Sequence, residues 1–252
     1  SLINERIKLI MAYTTINKSS DYFNTKLWTG NDGSGHAITG VGFQPDFVWI
    51  KNRNTTDDHN LFDSVRGNTK IVLSNSTSAE ITNGSRLESF DSDGITVGAD
   101  NDTNRNGDSI VGWNWLANGT GSANTDGSIS STVSANTTSG FSIVSYTGTG
   151  SNATVGHGLG VAPKVLILKS RTKSDGQWTV GSDMLTWSKF LFLDATSAEQ
   201  TFNLYQNTAP TSSVFYLSGD GGVNQSSGSM IGYAFAEKQG YSKFGSYTGN
   251  GS

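Results

Sequence analysis

The residues best suited to hold a cation lie in one short run, Asp100-Asn-Asp-Thr-Asn-Arg-Asn-Gly-Asp108. Asp100, Asp102, Asn104, Asn106 and Asp108 put a side-chain oxygen at every second position, and calcium takes such mixtures of carboxylate and amide oxygens. Two departures weaken the loop. Arg105 stands at the sixth position, where the sharp turn calls for glycine, and Val111 stands where a bidentate glutamate would close it. The segment is therefore read first as a solvated turn. No cofactor is expected, with calcium kept as the alternative.

Nucleophilic or acid–base catalysis finds less support. His36, His59 and His157 form no metal-binding pair, and there is no G-x-S-x-G elbow. Glu88 with Asp91 and Asp93 is the one carboxylate cluster worth testing for glycoside cleavage, which needs two carboxyl groups at a defined separation. Its segment, Ser89-Phe-Asp-Ser-Asp-Gly94, reads better as a turn before a strand at Ile95–Val97, so no catalytic residue is assigned and the chain is read as non-enzymatic.

Sugar binding draws on aromatic faces and polar side chains. The tryptophans are Trp28, Trp49, Trp113, Trp115, Trp178 and Trp187. Val111, Trp113 and Trp115 share one strand face, and Ile231, Tyr233 and Phe235 occupy the matching positions later in the chain, which is how core positions behave. Trp49 sits inside the run Phe-Val-Trp-Ile and is expected to be packed. Trp187 lies outside these blocks, so it is the ring expected to be exposed and the candidate carbohydrate contact.

Strands must carry all of these residues. Thirty-one glycines, abundant Ser, Thr and Asn, and short apolar runs separated by turn clusters indicate an all-β protein. Only Glu5–Ile10 suggests a short helix, and Met11 is a candidate start for the native chain. The strongest signal is internal repetition. Phe23–Arg53 aligns with Phe141–Arg171 without a gap, matching Thr29, Gly30, Gly40, Gly42, Pro45, Lys51 and Arg53 to Thr147, Gly148, Gly158, Gly160, Pro163, Lys169 and Arg171. Thr-Ser-Ala-Glu80 recurs as Thr-Ser-Ala-Glu199, Val111-Gly-Trp-Asn-Trp115 as Ile231-Gly-Tyr-Ala-Phe235, and Tyr247-Thr-Gly-Asn-Gly251 repeats the opening once more.

The fold expected is two tandem antiparallel β-sandwich units of jelly-roll or concanavalin-like type. Residues 1–20 form an N-terminal extension, 21–120 the first unit, 121–138 an exposed Ser/Thr/Asn/Gly linker and 139–240 the second unit. Residues 241–252 start a third unit or donate a strand to a neighbour. Pro45 and Pro163 each begin a central strand, approached through glycines at positive φ.

Charged residues make up 15% of the chain and the net charge is −4, which lacks the basic footprint of a nucleic-acid binder. No apolar run approaches the roughly 18 residues of a membrane span. Cysteine is absent, so neither disulfides nor thiolate chemistry is available.

Several stretches give the chain a family resemblance: Tyr13–Phe23, Gly42-Phe-Gln-Pro-Asp-Phe-Val-Trp-Ile-Lys-Asn-Arg53, His59 with Asp63-Ser-Val-Arg-Gly67, Ser89–Gly94 and Val111–Trp115. In these the chain resembles tandem-repeat structural proteins of tailed bacteriophages, especially those of marine and other aquatic viruses. The second unit, with Ala162-Pro-Lys-Val165 and Met230–Phe235, is more diverged. The resemblance implies a tail-fibre-like, concanavalin-like virion component whose partners are copies of itself and other virion proteins, and it transfers no catalytic residue. An extracellular adhesin binding a cell-surface glycan, or a self-assembling filament subunit, is the alternative.

Overall fold

The computed structural model describes residues 14–251. The helical stretch expected over 5–10 and the candidate start Met11 lie outside them. The described chain is all-β and its sheets are antiparallel.

In the first unit the elements are β1 (Phe23–Thr29), β2 (His36–Thr39), β3 (Phe47–Asn52), β4 (Asn60–Asp63), β5 (Lys70–Leu73), β6 (Ile81–Thr82), β7 (Leu87–Asp91) and β8 (Gly94–Val97), then one helical turn, α1 (Asn101–Asn104), and β9 (Ser109–Trp115). They form a six-stranded sheet, β1-β9-β3-β4-β5-β6, and a three-stranded sheet, β2-β8-β7.

The second unit follows with β10 (Ser122–Asn124), β11 (Ser131–Asn136), β12 (Phe141–Thr147), β13 (Ala153–Gly156), β14 (Val165–Ser170), β15 (Thr179–Ser182), β16 (Lys189–Phe192), β17 (Gln200–Thr201), β18 (Val214–Leu217), α2 (Gly221–Asn224) and β19 (Ser229–Phe235). Its sheets are eight-stranded, β10-β11-β12-β19-β14-β15-β16-β17, and two-stranded, β13-β18. Gly40, Gly42, Gly158 and Gly160 all take positive φ on the approach to β3 and β14, as the repeat requires.

The linker reading is corrected. Residues 122–124 and 131–136 are strands of the eight-stranded sheet, with β11 paired along β12 from Ser131↔Tyr146 to Asn136↔Phe141. Composition hid them because β11 buries little apolar bulk. Val133 packs inward, while the buried Ser134 Oγ accepts the Asn118 N–H at 2.8 Å. Polar residues serve a strand whose contacts are hydrogen bonds.

The described residues form three apolar clusters rather than two. Ile38, Val48, Ile50, Phe62, Ile71, Leu87, Ile95 and Ile110 fill the space between the sheets of the first unit. Val144, Tyr146, Val155, Leu166, Leu168, Phe215, Leu217 and Met230 do the same in the second. Phe47, Leu61 and Val72 of the first unit then pack with Phe141, Ile143, Trp178, Ile231 and Tyr233 of the second. The two large sheets are thus set back to back, and this third cluster joins them.

It explains the uninterrupted apolar run in β3. Val48 and Ile50 face their own unit, whereas Phe47 and Trp49 face the other one, as in a strand buried on both sides. The Phe47 and Tyr233 rings lie 4.4 Å apart, and Trp115 stacks at a tilt 5.1 Å from Phe47.

Polar groups are buried along the same junction. Arg66 Nε bonds Asp63 Oδ2 at 2.6 Å, the Tyr233 hydroxyl donates to that oxygen at 2.8 Å, and Arg66 Nη2 donates to the Tyr233 hydroxyl at 3.3 Å. Glu80 is held by Arg66 on its own side and by Arg171 across the junction, at 3.2 and 2.7 Å. Trp178 Nε1 donates to Leu73 O at 2.7 Å.

Candidate functional site

The candidate calcium loop is a structural hub. Asp100 caps α1 by accepting the Asp102 N–H at 3.0 Å, and Arg86 reaches Asp100 at 3.3 Å and Asp102 at 2.8 Å. Asp108 accepts from Asn52 Nδ2 at 2.8 Å and lies 3.5 Å from Arg105 Nε. Asn106 gives its backbone N–H to Asp32 Oδ1. Asn104 is fully buried, with Oδ1 accepting from Asn31 N at 3.1 Å and facing His36 Nδ1 at 2.8 Å. Its Nδ2 donates to Asn31 Oδ1, Gly33 O and Gly98 O. These oxygens point to separate partners instead of one centre. Among the described residues no group of three or more His, Asp or Glu side chains is placed to hold a metal ion.

The second unit repeats the hub. Asp220 caps α2 through the Gly222 N–H at 2.7 Å, and the buried Asn224 accepts Thr149 N at 2.7 Å and donates to Ser151 O and Ser218 O. Gly30 and Gly148 must be glycine here, since a Cβ would sit 2.0 Å from Arg105 O or 2.2 Å from Gln225 O. The repeated Thr-Gly pair marks this close approach in the sequence. The asparagine hub is in the sequence as Asn104 and Asn224, which share the offset of Val111–Trp115 and Ile231–Phe235, but its role shows only in the hydrogen bonds.

The carboxylate cluster is dispersed too. Glu88 accepts from Ser34 Oγ at 2.6 Å and Gly35 N at 2.9 Å, and Asp91 from Ser89 Oγ and Thr96 Oγ1. Asp93 accepts from Gly42 N and Gly40 N, bonds that hold its pKa below the usual value. Each closes its own turn.

Trp187 is a correction. It is 3% exposed, donates Nε1 to Asp183 Oδ1 at 2.5 Å and packs edge-on against Tyr205 at 5.6 Å. Its φ of +59° and that of Thr186, +61°, turn the chain so that the ring enters the second core. Sequence position outside the matched blocks reflected a local change of turn, not exposure.

The lysines matched between the repeats are loop staples. Lys51 Nζ donates to the carbonyls of Asn52, Thr55 and Asp57 at 2.6–2.9 Å. Lys169 Nζ donates to Gly176 O and, across the junction, to Ser76 O, and burial pulls its pKa down to about 8.

One place differs between the units in a way that opens space. In the first unit Arg86 Nη1 donates to Asn60 Oδ1 at 2.6 Å while also pairing with Asp100 and Asp102, and Arg105 Nη2 reaches Asp57 at 3.2 Å. At the matching positions the second unit has Tyr205 for Arg86, Gly222 for Asp102 and Gln225 for Arg105. Phe190, Phe192 and Phe202 replace Ile71, Leu73 and Asn83. Tyr205 turns its hydroxyl to Thr179, the counterpart of Asn60, at 3.4 Å. Gln225 Oε1 instead accepts from Ser170 Oγ at 2.6 Å.

A cleft of about 280 Å³ results, lined by the three phenylalanines, Lys173, Gln177 and Asp220 among others. Phe202 is 56% exposed at its rim. No single motif marks it, because the signal is the loss of two arginines that are held in ion pairs in the first unit.

Among the described residues no helix is long and apolar enough to cross a membrane. No curated protein and no solved structure matches the chain. A family described as "Domain of unknown function (DUF7483)" matches residues 18–252, a span that takes in both units and the segment after β19. With nearly the whole repeat-bearing chain inside one match, this protein belongs to the DUF7483 family.

Proposed function

We propose that this chain is a non-enzymatic structural protein of a tailed-phage virion, a fibre or surface appendage acting outside the cell as part of the particle. It is built from two tandem sandwich units of jelly-roll or concanavalin-like type. The observation that carries the reading is the third cluster, in which Phe47, Leu61 and Val72 meet Phe141, Trp178 and Tyr233. A protein that transmits load gains from units that cannot hinge, and buried area backed by the Arg66 and Arg171 ion pairs supplies that stiffness.

The carboxylates that could have served catalysis or metal binding are engaged in turns and caps, which agrees with a mechanical role. The segment that repeats the opening of each unit has Tyr247 94% exposed, a feature suited to association with further copies or other virion proteins.

The test is mass spectrometry of purified particles combined with immunogold electron microscopy. The protein is expected in stoichiometric amounts on a tail or surface structure. A stable monomer absent from virions would overturn the proposal.

A further inference from the structure

The cleft of the second unit has a chemistry that the first unit lacks. Asp220 Oδ1 is occupied by the Gly222 N–H, but its Oδ2 has no hydrogen-bond partner among the described residues. The Gln177 side chain likewise makes no hydrogen bond there, although it is only half-exposed. Lys173 pairs loosely with Asp175 at 3.5 Å, and Phe190 and Phe192 meet edge-on at 5.1 Å behind the exposed ring of Phe202. In the first unit the same ground is filled by the Arg86 and Arg105 ion pairs.

We infer that this cleft binds a neutral pyranose sugar, with Phe202 as the platform for one ring face and Asp220, Gln177 and Lys173 as hydroxyl partners. Three observations select this ligand class. An aromatic face at the rim of a small cleft suits the apolar face of a sugar ring. Carboxylate, amide and ammonium groups together supply both acceptors and donors, which matches hydroxyls that do both. The small volume, about 280 Å³, suits a short sugar better than a bulky ligand. Asp175 and Asp220 together outnumber Lys173 in the lining, so a cation is the competing ligand class that the experiment has to separate from a sugar. This inference stands apart from the virion assignment: a scaffold protein can lack the site, and an adhesin of another origin can have it.

The experiment is saturation-transfer and chemical-shift NMR on the whole chain with a panel of neutral mono- and disaccharides, with choline as the cationic control. Binding of at least one sugar is expected. It should weaken about tenfold in Phe202→Ala and in Asp220→Asn, which keeps the capping oxygen. Leu27→Ala, an exposed position on β1 of the first unit, should leave it unchanged, and unaltered circular dichroism certifies that the variants fold. No sugar binding, binding indifferent to both cleft variants, or binding of choline alone would each overturn the inference.

Discussion

His157 is fully buried, and the Leu159 N–H donates to its Nδ1 at 3.2 Å. Its Nε2 therefore carries the proton and donates to Thr211 O at 3.1 Å. His59 accepts the Trp49 indole N–H at 2.9 Å. Burial lowers the pKa of both below the usual 6.5, and for His59 the nearby Lys51 adds to it. Below that value the unfolded chain binds more protons than the folded one, so stability present above it is lost as pH falls toward the folded values. The urea midpoint is expected to drop between about pH 7.5 and about pH 5.5, and His157→Gln should flatten part of that drop. An unchanged slope in the variant would refute the assignment. The sequence offered these histidines only as unpaired ligands; their role as neutral acceptors depends on neighbours far along the chain.

Among the local elements, the cap-and-hub turns at α1 and α2 do the joining. Each asparagine satisfies several backbone groups that would otherwise be buried without partners, so Asn104→Ala and Asn224→Ala should each cost about 2–3 kcal/mol in chemical denaturation. Loss of under ~0.5 kcal/mol would remove the hub from the account. Because Arg86 and Arg105 already hold the carboxylates of this loop, calcium or a chelator should leave the thermal midpoint where it was. A calcium-dependent rise would restore the metal reading. Alternating oxygens were legible in the sequence, but whether they converge is a question of where each side chain points. That is set by β1, β3 and the 31–36 loop packing around the turn.

Across the whole molecule, the junction couples the units. Arg66→Ala leaves the buried Asp63 without its counter-charge, while Glu80 keeps Arg171, and should cost about 3–5 kcal/mol. Burial by itself lowers the Arg66 pKa, but Asp63, Tyr233 and Glu80 outweigh it and hold the guanidinium charged. The intact chain should unfold in one transition seen alike by tryptophan fluorescence and circular dichroism. Arg66→Ala should split it if the third cluster is the coupling element. Two separate transitions in the wild-type chain would show that the units are energetically independent.

The amino-acid sequence alone determined the all-β class, the duplication, the glycine turns before β3 and β14, and the packed state of Trp49 and Trp115, because alternation and turn chemistry are local properties. Which apolar face meets which was decided only by tertiary structure. One strand can bury a side against its own partner sheet or against another unit, and the pattern of residues is the same in both cases. Trp187 and the polar strand β11 were misread because exposure is fixed by what lies opposite: Asp183 and Tyr205 for the indole, and the neighbouring strands β10 and β12 for β11.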